Sequence, residues 1–184
     1  MVWPGGAADA KGKLARVATG QGRYEEALTL CEEAIEELRD IGSHGDVLEV
    51  QARKAECLFF MGNPKGALLA VDEALRQAQA LGGVPPPQIP ILQRVRGAAL
   101  ALSGDRDAAL VALRQSLQAS QVRAAEFEAA LTMRVLATLD VNPDEQDALS
   151  RQAARTLAKL GWSGRRTSSN RPPRSGPHRS TPPA

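Results

Sequence analysis

The stretch GRYEEALTLCEEAIEELRDIG, residues 22–42, decides the fold. A glycine opens it, and alanines follow five and twelve residues later, at Ala27 and Ala34. The carboxylate pairs Glu25-Glu26, Glu32-Glu33 and Glu36-Glu37 recur seven and then four residues apart, which fits the solvated face of one amphipathic helix rather than a catalytic pair. Alone, the stretch is a helix.

It is not alone. GNPKGALLAVDEALRQA begins at Gly62 and GDRDAALVALRQSLQAS at Gly104. Each copy places alanine five residues after its glycine (Ala27, Ala67, Ala109), then leucine (Leu28, Leu68, Leu110), then a small residue seven beyond the alanine (Ala34, Ala74, Ser116). Each is preceded by a second helical segment, at residues 9–20, 47–61 and 91–103. The period is 40 residues and then 42, and two helices per unit at such a period mark an α-solenoid rather than a closed bundle. The glycine ends the first helix of a unit at a tight turn, because it takes φ > 0 without strain. Small residues two turns apart share a face of the second helix and allow close helix approach.

A fourth, degenerate unit follows, with EFEAALTMRVLATLD at 126–140 and NPDEQDALSRQAARTLAKLG at 142–161. Asn142 is placed to cap its second helix, Pro143 suits the first helical position, and Glu145 is placed to close a capping box. Aligning Ala148 and Leu149 with the earlier alanine-leucine pairs puts Arg155 at the small position, as expected of a terminal, wetter unit. The expected organisation is a lead-in at 1–8 without fixed structure, units at about 9–42, 47–82, 89–122 and 126–161, and an Arg/Pro/Ser-rich tail at 162–184 that is expected to be disordered. GGVPPPQIP at 82–90 reads as a stiff linker, a solvent loop or a polyproline motif for a partner.

Composition narrows the function. The chain has 184 residues, 43% apolar but only 3% aromatic, which favours helices with small residues at their contacts. Its net charge of +2 arises in the tail, where residues 163–184 hold five arginines and no acid; residues 1–162 carry 18 basic and 21 acidic side chains. Such a body is a poor template for a nucleic-acid duplex, so only the tail is expected to attract phosphate, weakly and without specificity. Cys31 and Cys57 lack metal or redox spacing and read as buried free thiols. No apolar run reaches 18 residues and no export signal precedes the helices, so a soluble cytoplasmic protein without membrane contact is expected. The two histidines, His44 in a turn and His178 in the tail, offer no oriented base, and neither metal-ligand spacing nor a phosphate loop is present, so no catalytic residue, metal or cofactor is expected.

The glycine, tyrosine and small residues of GRYEEALTLCEEA (Gly22, Tyr24, Ala27, Ala34) resemble the second helix of tetratricopeptide repeats, and Ala15, Ala55 and Gly97 occupy that family's close-packing position in the first helix. The other copies lose the tyrosine and the units exceed the usual length, as in the lengthened repeats of bacterial signalling proteins such as ATPase-type transcription regulators. The resemblance implies a right-handed, all-α solenoid of three to four helix-turn-helix units whose first helices line a concave, protein-binding groove. It places Arg16, Glu49, Glu56, Phe59, Arg94 and Met133 in that groove. Adjacent helical residues point about 100° apart, so one of Phe59 and Phe60 is expected to pack inside and the other to face the groove or a neighbour. Gly12 and Ala52 stand where a carboxylate clamp would need long polar groups. The implied function is a non-enzymatic scaffold that binds a protein or peptide. The alternative is a transmission fragment of a larger ATPase- or cyclase-type regulator whose catalytic or DNA-binding domain lies elsewhere, with self-association through exposed repeat ends.

Overall fold

The computed structural model describes residues 5–139 and 142–162. Among them are eight α-helices and no strand: α1 (Gly6–Gly20), α2 (Tyr24–Asp40), α3 (His44–Phe60), α4 (Pro64–Leu81), α5 (Ile89–Leu102), α6 (Arg106–Val122), α7 (Glu126–Leu139) and α8 (Pro143–Lys159). Each helix packs on its chain neighbours, and the first helices of successive units also touch, α1 on α3, α3 on α5 and α5 on α7. Among the described residues, the backbones of the second helices do not approach one another. The first helices therefore form a continuous inner layer and the second helices fan apart outside it, as in a helical-repeat solenoid.

The turn within each of the first three units follows from its glycine. Gly22, Gly62 and Gly104 have φ of 77°, 85° and 87°. The next amide then reaches back over the turn, Arg23 to the Ala18 carbonyl at 2.9 Å, Asn63 to Leu58 at 2.9 Å and Asp105 to Leu100 at 3.0 Å, which satisfies carbonyls that the ending helix leaves free. Asn63 and Asp105 then cap the following helix, accepting from the amides of Gly66 and Ala108. Counted from these capping residues, the same four positions are buried in the second helix of each of the first three units: Ala27, Cys31, Ala34 and Leu38; Ala67, Val71, Ala74 and Ala78; Ala109, Leu113, Ser116 and Ser120. The close-packing position behaves as its spacing implies, with Ala15 and Ala55 buried. A Cβ added to Gly97 would lie 2.5 Å from Leu113 Cγ and 3.0 Å from the Ala109 carbonyl oxygen.

The seams between units differ in chemistry. Val47, Val50 and Cys57 of α3 pack into the clusters formed with α1 and α2, and Lys54 beside them pairs with Glu32 at 2.9 Å. Leu92 and Ala99 of α5 pack among Val71, Ala74 and Ala78 of α4, and Arg96 pairs with Asp72 at 3.5 Å. The seam from α6 to α7 uses hydroxyls: Ser116 donates to the Pro90 carbonyl at 2.7 Å and shares a 2.8 Å hydrogen bond with Thr132.

Four details add to or depart from the sequence reading. Helix α1 begins at Gly6, and Ala8 is fully buried against Ala15 and Cys31, so the helix takes in part of the expected lead-in. In α8 the buried residues are Ala153 and Leu157, while Ala148 and Arg155 are exposed. The unit is thus counted from Asn142, whose side chain accepts from the Asp144 amide; Ala153 takes the small position of Ala34 and Ala74, and Arg155 does not. The loop between α4 and α5 is tied to the body at two points, where Pro85 accepts from Arg123 and where Gln88 is buried, and residues 82–85 stay exposed. Trp162, assigned to the tail by sequence, stands against α7. The rest of the tail lies outside the described residues.

Candidate protein-binding groove

The inner layer presents two unlike surfaces. Across α3, α5 and α7 runs a ladder of charges. Gln88 donates to Glu49 at 3.2 Å, and Arg53 bonds Glu49 at 3.0 Å and approaches Glu56 at 3.5 Å. Arg94 donates to Glu56 at 2.8 Å through one terminal nitrogen and to Glu128 at 3.0 Å through Nε, so one guanidinium ties three first helices together. Arg94 is only 7% exposed. Burial opposes its charge, but the adjacent Glu56 and Glu128 carboxylates outweigh burial and raise its pKa above the ordinary arginine value.

Beside the ladder the wall turns apolar. Phe59 and Phe60 from the end of α3, Ala98 and Leu102 from α5, Leu131 and Val135 from α7, Ala154 and Leu157 from α8, and Trp162 enclose a groove of about 940 Å³. Arg134 stands in this groove with its guanidinium carbon 5.2 Å from the centre of the Trp162 ring, a cation–π arrangement. Among the described residues Arg134 makes no ion pair. Phe59 and Phe60 pack edge to face, their centroids 5.5 Å apart at 63°.

Of the residues that the sequence places in the groove, Phe59 and Arg94 stand in its lining. Phe60 lines the groove too, while Phe59 also packs against the core formed by α3, α4 and α5, so the expected split holds in part. The reason is position: both lie in the last turn of α3, where the groove opens across the helix end. Arg94 touches the groove but spends its donors on Glu56 and Glu128. Glu56 and Glu49 are members of the ladder, and Arg16 is exposed on α1 outside this lining. Met133 is 6% exposed and packs in the cluster of Ala129, Ala130, Ala153 and Leu157, a core position. Sequence reading missed Arg134 and Trp162; Arg134 lacks an (i, i+4) acid partner among the described residues, and Trp162 is isolated after a glycine.

The outer side carries a second, more polar depression of about 510 Å³ between α2 and α4, lined by Glu32, Glu36, Asp40 and Glu73 with Arg39 and Lys54. The side-chain hydrogen bonds of Gln77 and Arg76 hold Glu73 below the usual carboxylate range. On the other seam, hydrogen bonds to Glu33 and Glu37 raise Lys11 above its ordinary value. No group of three or more potential metal ligands occurs among the described residues, and no helix there is long and apolar enough to cross a membrane.

Comparison with known proteins agrees with this architecture. Residues 6–80 match the family model for the tetratricopeptide repeat, a span that covers α1 to α3 and nearly all of α4. These first two units are a tetratricopeptide-repeat array, and units three and four continue its packing scheme. No curated protein matches the chain. Arrays of this family generally mediate protein–protein contacts and are typically non-catalytic.

Proposed function

We propose that the protein is an interaction scaffold that holds a peptide or helix of a partner protein in the groove between α3, α5, α7 and α8. The observation that carries this reading is the division of the inner surface. The charges of the ladder are paired with one another, whereas the adjoining groove sets Phe59, Phe60, Leu131 and Trp162 beside a cation without a carboxylate partner among the described residues. An apolar anchor with an acidic neighbour is the chemistry that fits: the anchor covers the rings and the carboxylate meets Arg134. The ladder fixes the spacing of the first helices, so the groove is shaped before the ligand arrives, which lowers the ordering cost of binding. The reading as a transmission unit of a larger regulator draws on the exposed outer row of α1, which a neighbouring unit would cover.

The test is selection of peptides from a random display library, followed by calorimetric titration. Selected peptides are expected to combine an aromatic or aliphatic anchor with a nearby acid, to lose about tenfold or more in affinity with Arg134→Glu, and to bind Leu69→Ser as tightly as the wild type, since Leu69 is exposed on α4. Peptides that bind Arg134→Glu and Trp162→Ala as well as the wild type would place recognition elsewhere.

A further inference from the structure

The first two of the three seams inside the array are each made by one row on a first helix. Counted back from the residue that starts the following helix, the row is Val47, Val50, Lys54 and Cys57 on α3 and Ile89, Leu92, Arg96 and Ala99 on α5. Both rows are covered by the preceding unit, and the cation at their third position pairs with a carboxylate nine residues after the capping residue of the preceding second helix, Glu32 or Asp72. The same count on α1 gives Ala7, Ala10, Leu14 and Val17. This row is apolar and all four residues are exposed, Leu14 by 56% and Val17 by 49%.

The opposite end shows the matching seat. In α2 and α4 the positions four and eight residues after the cap, Ala27 and Cys31 or Ala67 and Val71, are fully buried. Their equivalents on α8, Gln146 and Ser150, are exposed, as is Ala154 four residues further on. The ion-pair position has changed on both sides together: where α2 and α4 carry Glu32 and Asp72, α8 carries Arg151, and where α3 and α5 carry Lys54 and Arg96, α1 carries Leu14. Arginine opposite leucine gives an aliphatic contact along the side-chain stem, whereas the cation of an internal row would be repelled there.

We infer that the α1 row of one copy seats on the α8 face of a second copy, so that the chain associates head to tail through a contact that repeats its internal seams. Charge favours this orientation over head to head. Residues 5–88 carry 13 acidic and 9 basic side chains and residues 89–162 carry 8 acidic and 9 basic, so head-to-tail contact joins an acidic half to a slightly basic one. Such a heterologous contact does not close on itself and grows with concentration. The seat shares Gln146, Ser150 and Ala154 with the groove lining, so a seated copy and a groove ligand exclude each other, whereas Leu14 and Arg151 lie outside that lining and report on association alone.

Sedimentation equilibrium of the full chain over a wide concentration range tests it. The wild type is expected to show a weight-average mass that rises with concentration beyond a dimer. Leu14→Lys, which sets a second cation against Arg151 and repeats the register of Lys54, should weaken association by about tenfold or more. Adding Arg151→Glu in the same chain recreates the Lys54–Glu32 pairing between copies and should restore it. Circular dichroism confirms that each variant folds; both sites are exposed. A wild type that stays monomeric throughout, association that stops at a dimer, or a double variant no tighter than Leu14→Lys overturns the inference.

Discussion

The charged ladder and the apolar groove lie side by side on the same inner layer, yet they answer different demands. In the ladder, Arg94 is buried and both sides of its guanidinium are engaged by carboxylates from neighbouring units. In the groove, Arg134 has an aromatic ring for company and no ion pair among the described residues. Two arginines that look alike in sequence thus differ in kind: one ties neighbouring helices together, and the other has no carboxylate to pair with among the described residues. Charge on the concave side of a repeat array is therefore evidence of binding only after its internal partners have been counted.

The comparison can be broken most severely at Arg94. Arg94→Ala leaves Glu56 and Glu128 close together without their shared cation, and removing one partner of a buried ion network costs about 3–5 kcal/mol. Urea unfolding should show that loss; a change below about 1 kcal/mol would remove the structural role assigned to the ladder. Arg134→Glu is the mirror experiment. Its site is exposed, so unfolding should move by no more than about 0.5 kcal/mol, while affinity for selected peptides falls. Phe59→Ala lies between the two, because the ring both lines the groove and packs against the core: a stability loss of about 1–2 kcal/mol and weakened binding are expected together.

Away from the inner surface, smaller effects test the turn logic. Ala124 has φ of 51° at the register where Gly42, Gly82 and Gly161 end the other second helices, all with positive φ. Relieving the left-handed strain with Ala124→Gly should raise stability by about 1 kcal/mol in the same unfolding assay, net of the extra freedom glycine gives the unfolded chain. Least visible near neutrality is Cys31. Burial, with a contribution from Cys57, pushes its thiol from 9.0 up to about 12. The folded state holds this proton more tightly than the unfolded one, so the contribution to stability is present below pH 9 and is lost as pH rises through about 12. Native protein should accordingly resist thiol-alkylating reagents at pH 8 at Cys31 and react only when unfolded.

The repeats were legible because their determinants are local. A glycine that must take positive φ, a capping residue after it and small residues at fixed distances all lie within one 20-residue span, and Gly22, Gly62 and Gly104 meet those demands. The fourth unit was misaligned because Val141 stands where the others have glycine, and the Ala148-Leu149 pair then offered a false register. The cap geometry differs there too, with Asn142 at ψ 111° against 65°, 75° and 80° at Arg23, Asn63 and Asp105. The site was only partly legible for a different reason. Whether an arginine is free depends on residues 34 and 38 positions away in sequence, as for Arg94 with Glu128 and Glu56, and no periodicity reports such a pairing. Phe59 could be singled out by its bulk in an aromatic-poor chain; Trp162 could not be told from the tail that follows it.

The central claim is that the groove, and not the ladder or the outer side, receives the ligand. It is tested most directly by photo-crosslinking a display-selected peptide that carries a benzophenone next to its apolar anchor, then mapping the attachment sites by mass spectrometry. Crosslinks concentrated on the ends of α3, α5 and α7 and on α8, near Phe59, Leu131, Leu157 and Trp162, are the expected result. Crosslinks concentrated in the acidic depression between α2 and α4, near Glu36 and Glu73, would contradict the account.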